Sequence, residues 1–104
     1  KDHINWLNEK LKNKMLFICI SKYRIGYIRY DKLNRNNLSV SIAVKEKYKR
    51  KGFGRLMLKN SIRKKHISKF SIYAYVKDSN LISKNFFLSN GFVYLRKNIY
   101  KYKP

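Results

Sequence analysis

The sequence predicts an α+β domain built on a mixed sheet. Three observations point there. Three strand-like apolar segments run together early, over residues 16–22, 25–30 and 38–44. A strand, a basic glycine turn and a helix then follow one another across residues 41–58. A further strand and helix come before an aromatic, extended tail. Strands that cluster and then interleave with helices fit the α+β class.

Taken in order, residues from Asp2 or His3 to about Lys14 predict a helix. Ile4, Leu7 and Leu11 share a helical face, Trp6 lies beside them, and Asp2 is a suitable N-cap. Residues 16–22 predict a short strand holding Cys19. This lone cysteine has no internal disulfide partner and reads as a core thiol in a reducing cytoplasm. Residues 25–30 predict a second strand, and Asp31 to Asn37 a polar turn. Leu38, Val40, Ile42 and Val44 alternate with Ser39, Ser41 and Ala43, the period of a strand.

Helical spacing then runs from Gly54 to about His66. Gly54, Leu58 and Ile62 line one side, with Met57 and Ser61 next to them. Arg55, Lys59 and Arg63 form a basic stripe that reads as a solvated face. Residues 70–76 predict a strand with Ile72, Ala74 and Val76 on one side. Residues 80–90 predict a helix closed by Gly91. Residues 92–102 are extended and hold one or two strands. Tyr94, Tyr100 and Tyr102 there suit either a strand face or the contact of a homodimer.

With 104 residues the expectation is one domain spanning 1–104. No apolar run is long enough for a membrane span or a signal peptide, so no membrane partner and a cytoplasmic location are expected. The chain begins at Lys1, which suggests a fragment or a trimmed product. The formal net charge is +21, from 26 basic residues against five acidic ones. Such a charge attracts nucleic acid, anionic lipid or phosphorylated small molecules. A bias toward AT-rich codons also accounts for the abundant Lys, Asn, Ile, Tyr and Phe, and the lysines are spread along the chain rather than gathered. No metal site is expected.

The basic glycine turn is the feature with the clearest chemistry. Free N–H groups at a helix start, and the helix dipole, favour an anion. Gly52 and Gly54 let the backbone approach it closely. A Walker loop is excluded because no Ser or Thr follows a Gly-Lys pair. A dinucleotide fingerprint is excluded because Met57 stands where a third Gly or Ala belongs. Lys51-Gly52-Phe53-Gly54 also matches the opening of an RNA-recognition signature. Arg55 and Leu58 then replace its aromatics, and the segment has helical rather than strand spacing. No sequence-specific nucleic acid partner is therefore expected.

A second stretch, Asn80 to Phe92, sharpens the reading. Lys49-Arg50-Lys51-Gly52-Phe53-Gly54, followed later by Asn80, Ser83, Phe86-Phe87 and Gly91-Phe92, resembles the GNAT superfamily of acetyl-CoA-dependent N-acetyltransferases in motif order and separation. The resemblance is close from Ala43 to Phe92. It implies a mostly antiparallel central sheet flanked by helices, here lacking the usual first strand and helix. It also implies acetyl-CoA as cofactor and direct attack by a small-molecule or peptide amine in a ternary complex. Lys49, Arg50, Lys51, Gly52, Phe53, Gly54 and Arg55 would hold the pyrophosphate. Ile42, Ala43 and Val44 would pair with the pantetheine arm, Val44 N–H near the thioester oxygen, where a donor stabilises developing negative charge. Asn80, Ser83 and Phe87 would meet the arm from the other side, and Asn80 also suits a helix N-cap.

Two departures stand out. Lys49 replaces the usual Arg or Gln, which matters little where main-chain donors do the work. Phe87 occupies the position of the usual Tyr acid, and Phe has no proton to give. The resemblance then implies slow catalysis, another acid such as Tyr75, or direct loss of the thiolate. No carboxylate is placed on the central strands, because Asp31 and Glu46 read as solvated turn residues. His3 and His66 are further candidates for the base, and a water relayed by hydroxyls is the default. His3-Ile4-Asn5-Trp6 on a helix resembles a GNAT branch that acetylates nucleotide-linked amino sugars. A catalytically weak or inactive CoA-binding relic, and an RNA-binding module, are the alternatives.

Overall fold

The computed structural model describes residues 5–11, 14–20 and 24–103, with side chains described from residue 25 to residue 103. The strands are β1 (Asn5–Leu11), β2 (Lys14–Ile20), β3 (Arg24–Lys32), β4 (Asn37–Val44), β5 (Ser71–Tyr75), β6 (Phe92–Arg96) and β7 (Ile99–Tyr102). The helices are α1 (Phe53–Ile62), α2 (Lys65–Ser68) and α3 (Leu81–Ser89), with a short 3-10 turn over Glu46–Tyr48. The strands form one sheet in the order β1-β2-β3-β4-β5-β7-β6. All neighbours are antiparallel except β4 and β5. The α+β class and the mixed, mostly antiparallel sheet are as expected.

The N-terminal segment differs from the expectation. Residues 5–11 form a strand, not a helix, and pair with β2 from Asn5↔Ile20 to Leu11↔Lys14. Spacing over so few residues separates helix from strand poorly, and pairing along an apolar neighbour overrides it. Asp2 and His3 lie outside the described residues. Asp31 differs too: β3 runs on through Lys32, so Asp31 sits in a strand opposite Ser39 and not in a turn. The long helix expected to His66 stops at Ile62. Lys64 is extended (ψ 142°), and α2 then starts afresh with His66 inside it.

Among the described residues, the hydrophobic core lies on one face of the sheet. Ile28 and Tyr30 of β3, Leu38 and Val40 of β4, and Ile72 and Ala74 of β5 meet Met57, Leu58 and Ile62 of α1 and Phe87 of α3. Strand alternation places Tyr27, Arg29, Asp31, Ser39, Ser41, Tyr73 and Tyr75 on the other face. Among the described residues, a buried polar contact joins sheet and helix. The Ser61 hydroxyl donates to the Met57 carbonyl at 2.8 Å, so the Tyr30 hydroxyl, 2.7 Å away, donates to Ser61 Oγ. Tyr100 is buried and Tyr102 packs at a tilt against Phe92, so of the aromatic tail it is Tyr94 that is largely exposed.

Candidate active site

The parallel pair β4–β5 is short. Its register covers Asn37↔Ser71, Leu38↔Ile72 and Ser39↔Tyr73, and then stops. β4 continues to Val44 and β5 to Tyr75 without pairing, so a gap opens between them toward their C-terminal ends. β3 stays on the other side of β4 along its whole length.

The direction of the β4 amides follows from this ladder. Leu33 N–H donates to the Asn37 carbonyl at 2.9 Å, and Lys45 N–H to the Ile25 carbonyl at 2.8 Å. Both contacts extend the β3–β4 register and mark the hydrogen-bonded pairs at its two ends. In an antiparallel ladder such pairs alternate with non-bonded ones. Tyr27–Ala43 and Arg29–Ser41 are therefore bonded pairs, while Ile28–Ile42 and Gly26–Val44 are not. Ile42 and Val44 turn their N–H groups away from β3, into the gap. Ala43 was expected to share in the cofactor edge, but its main chain is engaged by Tyr27.

The mouth of the gap is the glycine turn. Gly52 has φ 83° and caps α1 without any side-chain hydrogen bond, and the first turn holds no acid. Leu56 N–H is the first to find its helical acceptor, at Gly52 O. Phe53, Gly54 and Arg55 thus present N–H groups with no partner inside the helix. Arg50 also takes a positive φ of 65°. Lys49 Nζ lies 3.3 Å from Glu46 Oε1, so its ammonium is turned to this carboxylate. Arg50, Lys51 and Arg55 are exposed. Tyr48 and Phe53 meet edge-on at 6.1 Å and fasten the two ends of the turn together.

α3 closes the other side. Asn80 caps it, accepting the Ser83 N–H at 3.2 Å, so the capping role is realised. Phe86 was not assigned a role from the sequence, yet it is the ring beside the turn. A Cβ built on Gly54 would stand 3.3 Å from its Cε1. Phe87 is buried and meets Phe86 edge-on at 5.2 Å and Phe92 at 4.9 Å. Tyr75 ends β5 at the gap and is 56% exposed. Asp31 is held by Arg29, whose Nε lies 3.0 and 3.1 Å from its two oxygens. The alternation of Tyr27, Arg29 and Asp31 against Ile28 and Tyr30 was the available signal that this carboxylate is strand-borne.

Among the described residues, no group of His, Cys, Asp or Glu is placed to hold a metal, and no helix is long and apolar enough to cross a membrane.

A sheet that splits beside an uncapped helix start, with helices packed on its core face, is an α+β arrangement suited to an extended, anionic ligand. The family model of the GNAT acetyltransferase domain matches residues 12–94, and the chain belongs to that family. Solved structures agree on the fold. A GNAT acetyltransferase from Staphylococcus aureus Mu50 superposes with TM-score 0.73 at 18% identity, over 86% of this chain and 67% of its own. The PaiA N-acetyltransferase of Thermoplasma acidophilum, solved with coenzyme A, gives 0.72 at 21%, over 88% and 62%. The ribosomal-protein-S18-alanine N-acetyltransferase of Escherichia coli gives 0.70 at 17%, over 88% and 68%. This chain thus spans 62% to 68% of the length of those proteins. No curated protein matches it. Acetyl-CoA is the cofactor of this family. The residues present fit it, since the uncapped start of α1 suits a pyrophosphate and the free edge of β4 suits an amide-bearing arm.

Proposed function

We propose that this chain transfers the acetyl group of acetyl-CoA to a primary amine carried on an anionic small molecule, such as a nucleotide-linked amino sugar. The observation that carries the reading is the uncapped start of α1 at the mouth of the β4–β5 gap. Phe53, Gly54 and Arg55 N–H bind the pyrophosphate, with Gly52 leaving them accessible and Arg50 and Lys51 adding charge. Ile42 and Val44 N–H take the arm as an added strand would, and Asn80, Ser83 and Phe86–Phe87 bound it from α3. When bound, the cofactor supplies an activated thioester.

Val44 N–H, turned into the gap, would donate to the oxygen that gains charge during attack. The attacking amine must lose a proton. Asp31 is occupied by Arg29, so water relayed by Ser39 and Ser41 carries that proton away. Tyr75 would give a proton to the leaving thiolate where one is needed, because Phe87 has none to give. Charge supports the anionic acceptor: a chain at +21 draws in anions and repels polyamines. The His-x-x-Trp resemblance no longer adds support, because Asn5 and Trp6 belong to β1. Two copies would pair through the edge strand β6, where Val93, Tyr94 and Leu95 are exposed.

Calorimetry with acetyl-CoA, followed by acetyl transfer to a panel of amines, tests the reading. Binding with turnover of an anionic amine is expected. No binding at high micromolar cofactor overturns it, while binding without any turnover leaves a cofactor-holding relic.

A further inference from the structure

Arg29 stands in an unusual position for a chain so short of acids. It projects from the middle of β3 on the sheet face opposite the core, since its neighbours Ile28 and Tyr30 are fully buried on the helix side. Its register partner is Ser41, two residues beyond the point where β4 leaves β5. Arg29 therefore flanks the open stretch of β4 at one inter-strand spacing, about 5 Å. The gap that receives the thioester lies just across that strand.

Asp31 controls how this guanidinium is presented. Both carboxylate oxygens lie within 3.1 Å of the same atom, Arg29 Nε. A guanidinium carries five N–H donors, one on Nε and four on the two terminal nitrogens. The carboxylate thus takes the inner donor, and among the described residues none accepts from the terminal nitrogens. Those four N–H groups form the planar fork that matches a carboxylate or phosphate two bonds at a time. The Arg29 side chain is about one third exposed and that of Asp31 rather less, so the carboxylate holds the inner side of the guanidinium on a face that solvent reaches.

We infer that Arg29 is the anchor for an anionic group on the acceptor, a phosphate or carboxylate borne by the same molecule as the amine, with Asp31 as its positioning residue. This assignment rests on the acetyl-transfer reading above and narrows it. The acceptor is an amino phosphate or amino carboxylate whose anion lies on the face away from the helices while its amine enters the gap. A lysine in this place would be a point charge with no fork, and a polyamine would meet a repelling guanidinium where it needs a carboxylate.

The test uses paired acceptors that differ in one group: ω-amino alcohols and their phosphate esters, in a series of chain lengths. The wild type should acetylate the phosphates with a kcat/KM roughly ten- to a hundredfold above the matching alcohols, the range for a hydrogen bond to a charged group. Arg29→Ala should erase that advantage, so that alcohols and phosphates are used with equal kcat/KM, and leave acetyl-CoA affinity unchanged. Arg29→Lys should restore a part of it. Asp31→Asn should lower it by raising KM for the phosphates alone. Direct calorimetric titration of the amino phosphate at saturating coenzyme A reads the anchor without turnover, and circular dichroism checks that each variant is folded. Equal use of alcohols and phosphates by the wild type, or a phosphate preference that survives in Arg29→Lys and Arg29→Ala, overturns the anchor. A wild type that binds the amino phosphate through Arg29 yet acetylates nothing supports the anchor and rejects the acetyl-transfer reading. A wild type that does not bind it overturns the anchor, whatever the turnover.

Discussion

Gly54 lies against the edge of the Phe86 ring, so the glycine turn and the aromatic pair of α3 are one packed unit. A Cβ on Gly54 would reach 3.3 Å from Phe86 Cε1 and 3.9 Å from Ile42 Cγ2. The contact holds α3 beside the free edge of β4. A further chain of ring contacts, Phe86–Phe87–Phe92–Tyr102, ties α3 to the sheet.

Gly54→Val should therefore damage both packing and binding. Overpacking at so close a contact costs about 1–3 kcal/mol. Urea unfolding should show that loss, and the acetyl-CoA dissociation constant should rise roughly tenfold as α3 is pushed off the gap. Gly54→Ala is the milder probe. Its tight contact is offset by the helix propensity gained over glycine, about 1 kcal/mol. Its stability should stay near that of the wild type.

Gly52→Ala separates backbone from packing. Its Cβ would meet nothing within 4 Å, but φ is +83°. The cost is then purely conformational, about 1 kcal/mol, or a fall of roughly 5 °C in Tm for a domain of this size. If the N–H groups of the turn hold the pyrophosphate, cofactor affinity should fall further than stability does. Thermal scans with and without coenzyme A measure both.

What the sequence made legible, and what it hid, divides along physical lines. The glycine turn and the start of α3 were readable because Gly52 and Asn80 are each demanded by a local backbone need, a positive φ and a cap. β4 was readable because its apolar alternation is strict. The N-terminal segment was not, since Ile4, Leu7 and Leu11 suit a helix as well as a strand, and the decision belongs to β2. The end of α1 was also hidden. Lys64 becomes extended with no Gly or Pro to announce it. At the site, Phe86 and Arg29 were missed because their roles arise from register and packing between distant segments.

Tyr30 makes stability depend on pH. Burial pushes its phenol well above the ordinary value. The native state holds this proton more tightly than the unfolded chain does. Its contribution is complete below the unfolded pKa of about 10 and declines as pH rises above it. Urea midpoints should fall between pH 9 and 11 by more in the wild type than in Tyr30→Phe. Near neutral pH that variant should lose about 1 kcal/mol, because Ser61 keeps its bond to the Met57 carbonyl. Equal alkaline slopes for the two proteins would refute the assignment.

In the proposed site Phe87 stands where a proton donor for the departing sulfur would be needed. Its ring is packed between Phe86 and Phe92 and brings no proton to the gap. Phe87→Tyr adds a hydroxyl and little else. If proton delivery limits turnover, kcat should rise by roughly a hundredfold, the low end for a placed general acid, with KM for acetyl-CoA unchanged. The ring is only 7% exposed, so a hydroxyl that finds no partner should also cost about 1–3 kcal/mol of stability. Tyr75→Phe is the complementary test, since Tyr75 ends β5 at the gap. If Tyr75 supplies the proton, its loss should lower kcat in the wild type and matter much less in the Phe87→Tyr background. If neither substitution changes kcat, the sulfur departs as thiolate. The pH profile of kcat should then carry no limb from a phenol, and the rate should rest on how the chain places amine and thioester together.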